Sequence, residues 1–135
     1  MSSIHHAHLI LFVSDQERSM RFYAEVLDRP PTLHVPGMTE FPLPGGAVLG
    51  LMPEAGIRRL LGDAIADPAA ARGIPRAELY LVVPDPAAMH ARALRAGARE
   101  VSPISPRDWG DVAGYVSDPD GHLLASAGRR DVKPA

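Results

Sequence analysis

Cysteine is absent from this chain of 135 residues. Its absence excludes a disulfide framework, a zinc–thiolate site and a thiol nucleophile, so packing alone must hold the fold together. Aromatic residues are also few, at 5% of the sequence, with a single tryptophan. The chain nevertheless contains 46% hydrophobic and 22% charged residues. This size and composition predict one compact domain with a core.

The sequence also lacks a cluster of basic residues. The 14 lysines and arginines are scattered and are outnumbered by 16 aspartates and glutamates, which gives a formal net charge of −2. Nucleic acids and anionic membrane surfaces are recognised by concentrated positive charge. We therefore expect neither of them as a partner.

Targeting segments and several catalytic motifs are missing too. The first residues contain no basic leader, no long apolar run and no small-residue cleavage site, so we expect a cytoplasmic protein. The sequence has no Gly-x-Ser-x-Gly elbow, phosphate loop or His-Glu-x-x-His motif. Nucleophilic catalysis is therefore not supported.

The apolar pattern of the first half predicts a β-α-β-β-β unit. Residues 8–13 form a strand that is apolar on both faces, and Asp15 is placed to cap a helix over 16–27. That helix carries one apolar stripe, formed by Met20, Tyr23, Ala24 and Leu27. Further strands are predicted at about 32–35, 39–42 and 46–52.

The second half repeats this pattern. Leu9, Leu11, Val13 and Asp15 recur 70 residues later as Leu79, Leu81, Val83 and Asp85. Asp85 and Pro86 begin a helix that Gly97 ends, and strands are predicted at about 100–105, 111–117 and 122–127. We expect a single domain over 1–135, with module one at about 4–52, a connection at about 53–76 and module two at about 77–128. The connection is a candidate lid over a cavity.

The residues that carry these patterns resemble the vicinal oxygen chelate superfamily of glyoxalase I, bleomycin-resistance proteins and extradiol dioxygenases. The matching segments are 8–15 (HLILFVSD), 19–23 (SMRFY), 46–49 (GAVL), 107–110 (RDWG) and 117–122 (SDPDGH). The resemblance implies an α+β fold, in which two paired β-α-β-β-β modules form a curved mixed sheet around a cavity. It also implies a homodimer.

In metal-dependent members such as glyoxalase I, the ligands come from the first and last strands of each module. Carried over by position, the four places are His8, Gly50, Glu78 and Ala125. Two of them hold side chains that bind metals, but glycine and alanine stand where glyoxalase I has glutamates. Three protein ligands are the usual minimum for a divalent metal with an open position. We therefore expect no metal; if one is present, His8 and Glu78 hold it, with Glu54, Asp111 or His122 as candidate third ligands.

Several residues have two interpretations that the sequence leaves open. His8 is a ligand or an ordinary pocket wall, and Glu78 is a functional carboxylate or a charge facing solvent. Trp109 either stacks on a planar ligand at the cavity mouth or anchors its loop in the core. Other candidates for a role in the cavity are Phe12, Phe41 and Tyr80 as aromatic wall and Arg58 or Arg59 as a binder of an anionic group. His5 and His6 are interpreted as a strand start.

The function we predict is metal-independent binding of a small hydrophobic or aromatic molecule in a cavity. The ligand-binding residues we expect are His8, Phe12, Gly50, Glu78, Tyr80, Trp109 and Ala125, with Gly50 and Ala125 making room for the ligand. The alternative is a metal-dependent lyase, isomerase or dioxygenase that uses His8 and Glu78, or an enzyme with Glu78 as its general base. Under the first function we expect no cofactor. Under the alternative we expect a divalent metal ion.

Overall fold

A computed structural model describes residues 3–129 of the chain. Module one consists of β1 (His8–Val13), α1 (Gln16–Leu27), β2 (Leu33–Val35), β3 (Met38–Pro42) and β4 (Val48–Pro53). A helix α2 (Glu54–Leu61) follows, and then two short 3-10 turns at Gly62–Ala64 and Pro68–Ala71. Module two consists of β5 (Glu78–Val82), α3 (Pro86–Arg95), β6 (Arg99–Pro106), β7 (Asp111–Ser117) and β8 (Leu123–Arg129).

The two modules share one topology. The sheet of module one has the strand order β1-β4-β3-β2, and that of module two has β5-β8-β7-β6. In each sheet the first and last strands of the module pair in parallel, while the other pairs are antiparallel. The predicted α+β fold with two β-α-β-β-β modules is therefore confirmed, and so is the sequence repeat from which it was inferred.

Both predicted helix caps are present. Asp15 Oδ1 accepts a hydrogen bond from the backbone N–H of Arg18 at 3.0 Å, and Asp85 Oδ1 accepts one from Ala88 at 3.1 Å. These bonds satisfy N–H groups that have no partner inside the helix. Helix α1 covers the predicted range of 16–27, and α3 begins at Pro86 as expected.

The connection between the modules is more ordered than the sequence suggested. The sequence shows only a weak helical pattern at residues 57–61, whereas α2 begins at Glu54, directly after β4. Contacts divide the chain into two compact units, of which the first holds residues up to Ala24 and Asp28–Arg72. The second unit holds Glu25–Leu27 and the residues from Gly73 onward. The larger part of the connection therefore folds with the first unit.

Each sheet buries one face. In the first sheet this face carries Leu11, Val13, Phe41, Leu49 and Leu51, and α2 packs against β4 and β1. In the second sheet α3 packs on β6, β7 and β8, where Leu79, Leu124 and Val116 are buried. The opposite faces carry His8, Phe12 and Gly50 in the first sheet and Glu78, Tyr80 and Ala125 in the second. The expectation that Phe41 lines a cavity is wrong, because Phe41 has no exposed area and packs in the core. Within residues 3–129, no helix has the length and apolar character needed to cross a membrane.

Candidate functional site

His8 lies on the face of the first sheet opposite the one that carries Leu11, Leu49 and Phe41. Its partner there is Glu40 of β3, with 3.4 Å between His8 Nδ1 and Glu40 Oε2, and both side chains are partly exposed. His8 Nε2 also lies 3.2 Å from Nδ1 of the exposed His6. A carboxylate beside one imidazole nitrogen orients the ring.

Glu40 stands next to the position where metal-dependent relatives have a glutamate. It is the register partner of Gly50 on β3, while Ile10 is the partner of Gly50 on β1. The residues that share this face are His8, Ile10, Phe12, Met38, Glu40, Gly50 and Met52, which we call the open face of the first sheet. It is an apolar, partly exposed surface with one histidine–glutamate pair; its exposed residue Ile10 retains 37% of its accessible area.

Neighbouring side chains occupy much of the space that Gly50 leaves. A Cβ atom added to Gly50 would lie 3.0 Å from Ile10 Cγ1 and 3.3 Å from Met38 Sδ. Gly50 is itself buried. The role of Gly50 in this structure is therefore to let Ile10 and Met38 approach each other over β4, rather than to leave an empty volume.

The equivalent face of the second sheet carries Glu78 and Tyr80 on β5. Tyr80 and Tyr115 are the register partners of Ala125 on either side, so the three residues form one row across the sheet. Ala125 has no exposed area, whereas Glu78 is exposed. Ala125 is thus closed off in the row between two tyrosines, and we expect direct ligand contact from the exposed residues of this face.

A chain of hydrogen bonds joins this face to the loop before β7. The indole Nε1–H of Trp109 donates to Tyr80 Oη at 2.8 Å, and the Tyr80 hydroxyl donates to Asp111 Oδ2 at 2.6 Å. Arg129 Nη1 donates to both oxygens of Asp111 at 2.7 and 2.8 Å. The Trp109 side chain remains 58% exposed. The interpretation of Trp109 as a core anchor is therefore wrong, because its ring is held from one edge while much of it faces outward.

This chain of hydrogen bonds shifts the pKa values of Asp111 and Tyr80 in opposite directions. The hydrogen bond from Tyr80, and after it those from Arg129, lower the pKa of the Asp111 carboxyl below its usual value. Burial, and after it the hydrogen bond to Asp111, raise the pKa of Tyr80. Burial also raises the pKa of Tyr115, with a further contribution from the nearby charge of Glu78. Asp111 is therefore the anion of this network, and the two phenols remain protonated at neutral pH.

We expect Asp111→Asn to reduce stability at neutral pH, with an effect that fades in acid. A carboxyl whose pKa is lowered by folding stabilises the protein above its unfolded pKa of about 4 and loses that contribution as the pH falls through the folded value. Urea unfolding from neutral pH into acid should show the gap between wild type and variant narrowing below about pH 4. Asp63→Asn is the control, since the Asp63 side chain is fully exposed. A gap of constant size across this range would contradict the role given to Asp111.

The candidate metal ligands do not assemble as a metal-dependent site needs. Gly50 and Ala125 offer no donor atom, and His8 is engaged by Glu40. Of the candidate third ligands, Glu54 pairs with Arg72, and Asp111 is held by Tyr80 and Arg129. Within residues 3–129, no three His, Asp or Glu side chains are grouped so that they could hold a metal ion. The donor set at the four implied positions therefore does not fit a divalent metal.

Three residues of these contacts were not predicted from the sequence: Glu40, Tyr115 and Arg129. Glu40 lies in a predicted strand, but its position beside Gly50 follows from the register of the β3–β4 pair, which was not assigned. Residues 36–37 connect β2 and β3, with Gly37 at φ 99°, a turn that the Pro36–Gly37 dipeptide signals. Tyr115 has the same relation to Ala125 that Glu40 has to Gly50. Aligning the two modules strand by strand would have found both residues.

Comparison with known proteins agrees with this architecture. Residues 4–125 match the model of the Glyoxalase/Bleomycin resistance protein/Dioxygenase superfamily. An uncharacterized protein of Mycobacterium bovis is 30% identical over 121 residues, which cover 83% of this chain and 75% of the relative. The chain therefore belongs to the glyoxalase/bleomycin resistance protein/dioxygenase superfamily, as the sequence motifs indicated.

Solved structures share the fold. A glyoxalase-related enzyme from Fulvimarina pelagi superposes with a TM-score of 0.78 at 28% identity, over 91% of this chain and 86% of that chain. A glyoxalase/bleomycin resistance protein/dioxygenase from Nocardioides superposes with a TM-score of 0.75 at 22% identity, over 100% of this chain and 90% of that one. The second likeness supports the fold alone, because one fold can carry many activities.

Proposed function

We propose that this protein binds a small hydrophobic or aromatic molecule without the help of a metal ion. The observation that carries the proposal is the composition of the open face of the first sheet. There a glycine replaces the glutamate of metal-dependent relatives, and two apolar side chains approach over it. A partly exposed apolar surface gains about 25 cal/mol for each Å² of apolar area that a ligand buries.

The second sheet supplies a candidate for aromatic stacking. The Trp109 indole is held at its nitrogen by Tyr80 and keeps a large exposed area. A ring whose orientation is already fixed loses little entropy when a planar ligand stacks on it, and stacking adds about 1 kcal/mol beyond burial. As part of the same proposal, the protein acts in the cytoplasm as a homodimer, and it uses no cofactor.

The variant Trp109→Ala tests the stacking role. With the fluorescent probe 8-anilinonaphthalene-1-sulfonate, we expect Trp109→Ala to raise the dissociation constant about fivefold. Trp109→Phe should raise it less than Trp109→Ala does, because phenylalanine keeps an aromatic face although it loses the hydrogen bond to Tyr80. Leu60→Ala is the control, since Leu60 is a 70% exposed apolar residue of α2. If Trp109→Ala and wild type bind the probe with equal affinity, Trp109 is not part of the binding site.

The His8–Glu40 pair favours a second candidate function. An imidazole oriented by a carboxylate is a common general base, so the open face of the first sheet is suited to a proton-transfer enzyme. On the second sheet, the exposed Glu78 is a separate candidate general base. The substitutions His8→Ala and Glu78→Gln distinguish the two functions. An enzyme would lose turnover with either one, whereas a binding protein would lose affinity only modestly.

A further inference from the structure

A separate groove opens in the first unit where β1 and β4 end. It has a volume of about 330 Å³. Its lining residues are Ser14, Pro53, Glu54, Ala55, Arg58, Asp67, Ala69 and Arg72. None of them belongs to the open face of the first sheet, and a volume of this size is within the range of small-molecule sites, about 300–1,000 Å³.

The carboxylate of Glu54 is the unusual group in this groove. Its side chain is only 6% exposed, and Oε1 is paired with the guanidinium of Arg72. The other oxygen, Oε2, is buried and has no hydrogen-bond partner among the residues that the structure describes. A buried carboxylate oxygen without a donor is unfavourable, because a charged acceptor loses its hydration without a replacement. A ligand that brings an N–H donor would remove this penalty.

Positive groups lie on the same groove. Arg58 donates to Asp63 Oδ1 at 3.1 Å and to the carbonyl oxygen of Ile65 at 3.3 Å, and its side chain is 39% exposed. Arg72 is 51% exposed and is held by Glu54. Helix α2 also begins here at Glu54, and Pro53 provides no side-chain cap for its first N–H groups. Guanidinium groups and the start of a helix both favour a bound anion.

We propose that this groove binds a small zwitterion of the amino-acid type. Its ammonium group donates to Glu54 Oε2, and its carboxylate is bound by Arg58 and Arg72. A simple anion would be repelled by the Glu54 carboxylate, and a simple amine would be repelled by the two arginines. A molecule that carries both charges matches the groove, which is lined by the carboxylates of Glu54 and Asp67 and by the two arginines. The site is independent of the aromatic site proposed above, because the two share no residue.

The test is an NMR titration of the ¹⁵N-labelled full chain with L-alanine, ethylamine and propionate. L-alanine should shift the backbone amide signals of Glu54, Ala55 and Gly56 at millimolar concentrations. Ethylamine and propionate, which each carry one of its two charges, should bind at least about tenfold more weakly. No shift with L-alanine, or equal affinity for either single-charge compound, would overturn the proposal. The aromatic probe titrated in the presence of L-alanine should keep its affinity.

Neighbouring arginines provide a matched pair of variants. Arg58→Ala should raise the dissociation constant of L-alanine about tenfold, whereas Arg59→Ala should change it less than about twofold, because Arg59 is exposed and does not line the groove. Glu54→Gln keeps the size of the side chain and should weaken binding by a similar factor. If Glu54→Gln does not fold, Arg58→Ala and Arg59→Ala still test the proposal. Equal changes in the dissociation constant of L-alanine for these two variants would contradict the site.

Discussion

Gly121→Ala should lower the free energy of unfolding by about 2–5 kcal/mol. Gly121 has φ 93°, a conformation in which a side chain is strained. A Cβ atom there would also lie 2.6 Å from the Cα atom of Gly73 and 2.7 Å from its carbonyl carbon. Because these are backbone atoms, no rotation of a side chain can relieve the overlap.

The expected loss is large because the turn at Gly121 is tied to its surroundings. Asp118 Oδ1 accepts hydrogen bonds from the N–H groups of Asp120 and His122 at 2.8 and 2.9 Å. The N–H of Gly73 donates to the carbonyl of Asp120 at 2.9 Å. Moving Gly73 away from a new Cβ atom would therefore strain that bond along with the start of β8.

Gly110→Ala is the matched control for this prediction. Gly110 has φ 98°, but a Cβ atom added there would have no heavy atom within 4 Å. It should cost only the backbone strain, about 1–2 kcal/mol. Urea unfolding of both variants measures the difference. Equal losses in the free energy of unfolding would show that the contact with Gly73 does not contribute to the effect of Gly121→Ala.

Ala125→Glu, which introduces the carboxylate of metal-dependent relatives, should destabilise the protein by more than about 3 kcal/mol. Ala125 has no exposed area and lies in one row with Tyr80 and Tyr115. A glutamate there must either bury its charge or displace a tyrosine, and displacing Tyr80 would break its hydrogen bonds to Trp109 and Asp111. Thermal or urea unfolding of the variant checks this.

Gly50→Glu is the comparison for that variant. A new Cβ atom at Gly50 would meet the side chains of Ile10 and Met38, at 3.0 and 3.3 Å, on a partly exposed face. Because side chains can shift there, the loss should be smaller than that of Ala125→Glu, although the new carboxylate would stand beside Glu40. If Ala125→Glu unfolds with the same midpoint as wild type, position 125 is open to solvent. That result would contradict the burial of Ala125 between Tyr80 and Tyr115.

Much of the fold could be predicted because local signals and the internal repeat agreed. Asp15 and the apolar stripe after it were enough to predict α1, and Asp85 with Pro86 predicted the start of α3, in agreement with the 70-residue repeat. The start of α2 was missed because Pro53 ends β4 and Gly56 weakens the helical pattern of the first turn. Strand β4 starts at Val48 rather than Gly46, since Pro44–Gly46 forms a 3-10 turn in which Gly45 and Gly46 have positive φ.

The site was harder to predict because its contacts cross long stretches of sequence. The positions of His8 and Gly50 followed from strand parity, but the link between Trp109 and Tyr80 depends on how a loop returns to a strand 29 residues away. Arg129 lies beyond the end that was predicted for β8, so its pairing with Asp111 had no signal. Glu40 required the register of β3 against β4, which depends on the turn between the two strands as well as on the hydrophobic pattern.

Metal-independent binding is the central claim, and one comparison of affinities tests it most directly. The purified protein is titrated with 8-anilinonaphthalene-1-sulfonate before and after dialysis against EDTA, with its metal content measured at both stages. We expect the same dissociation constant in both titrations and far less than one equivalent of Ni, Zn, Mn or Fe per chain. A full equivalent of metal before dialysis, together with binding that disappears when the metal is removed, would contradict the claim.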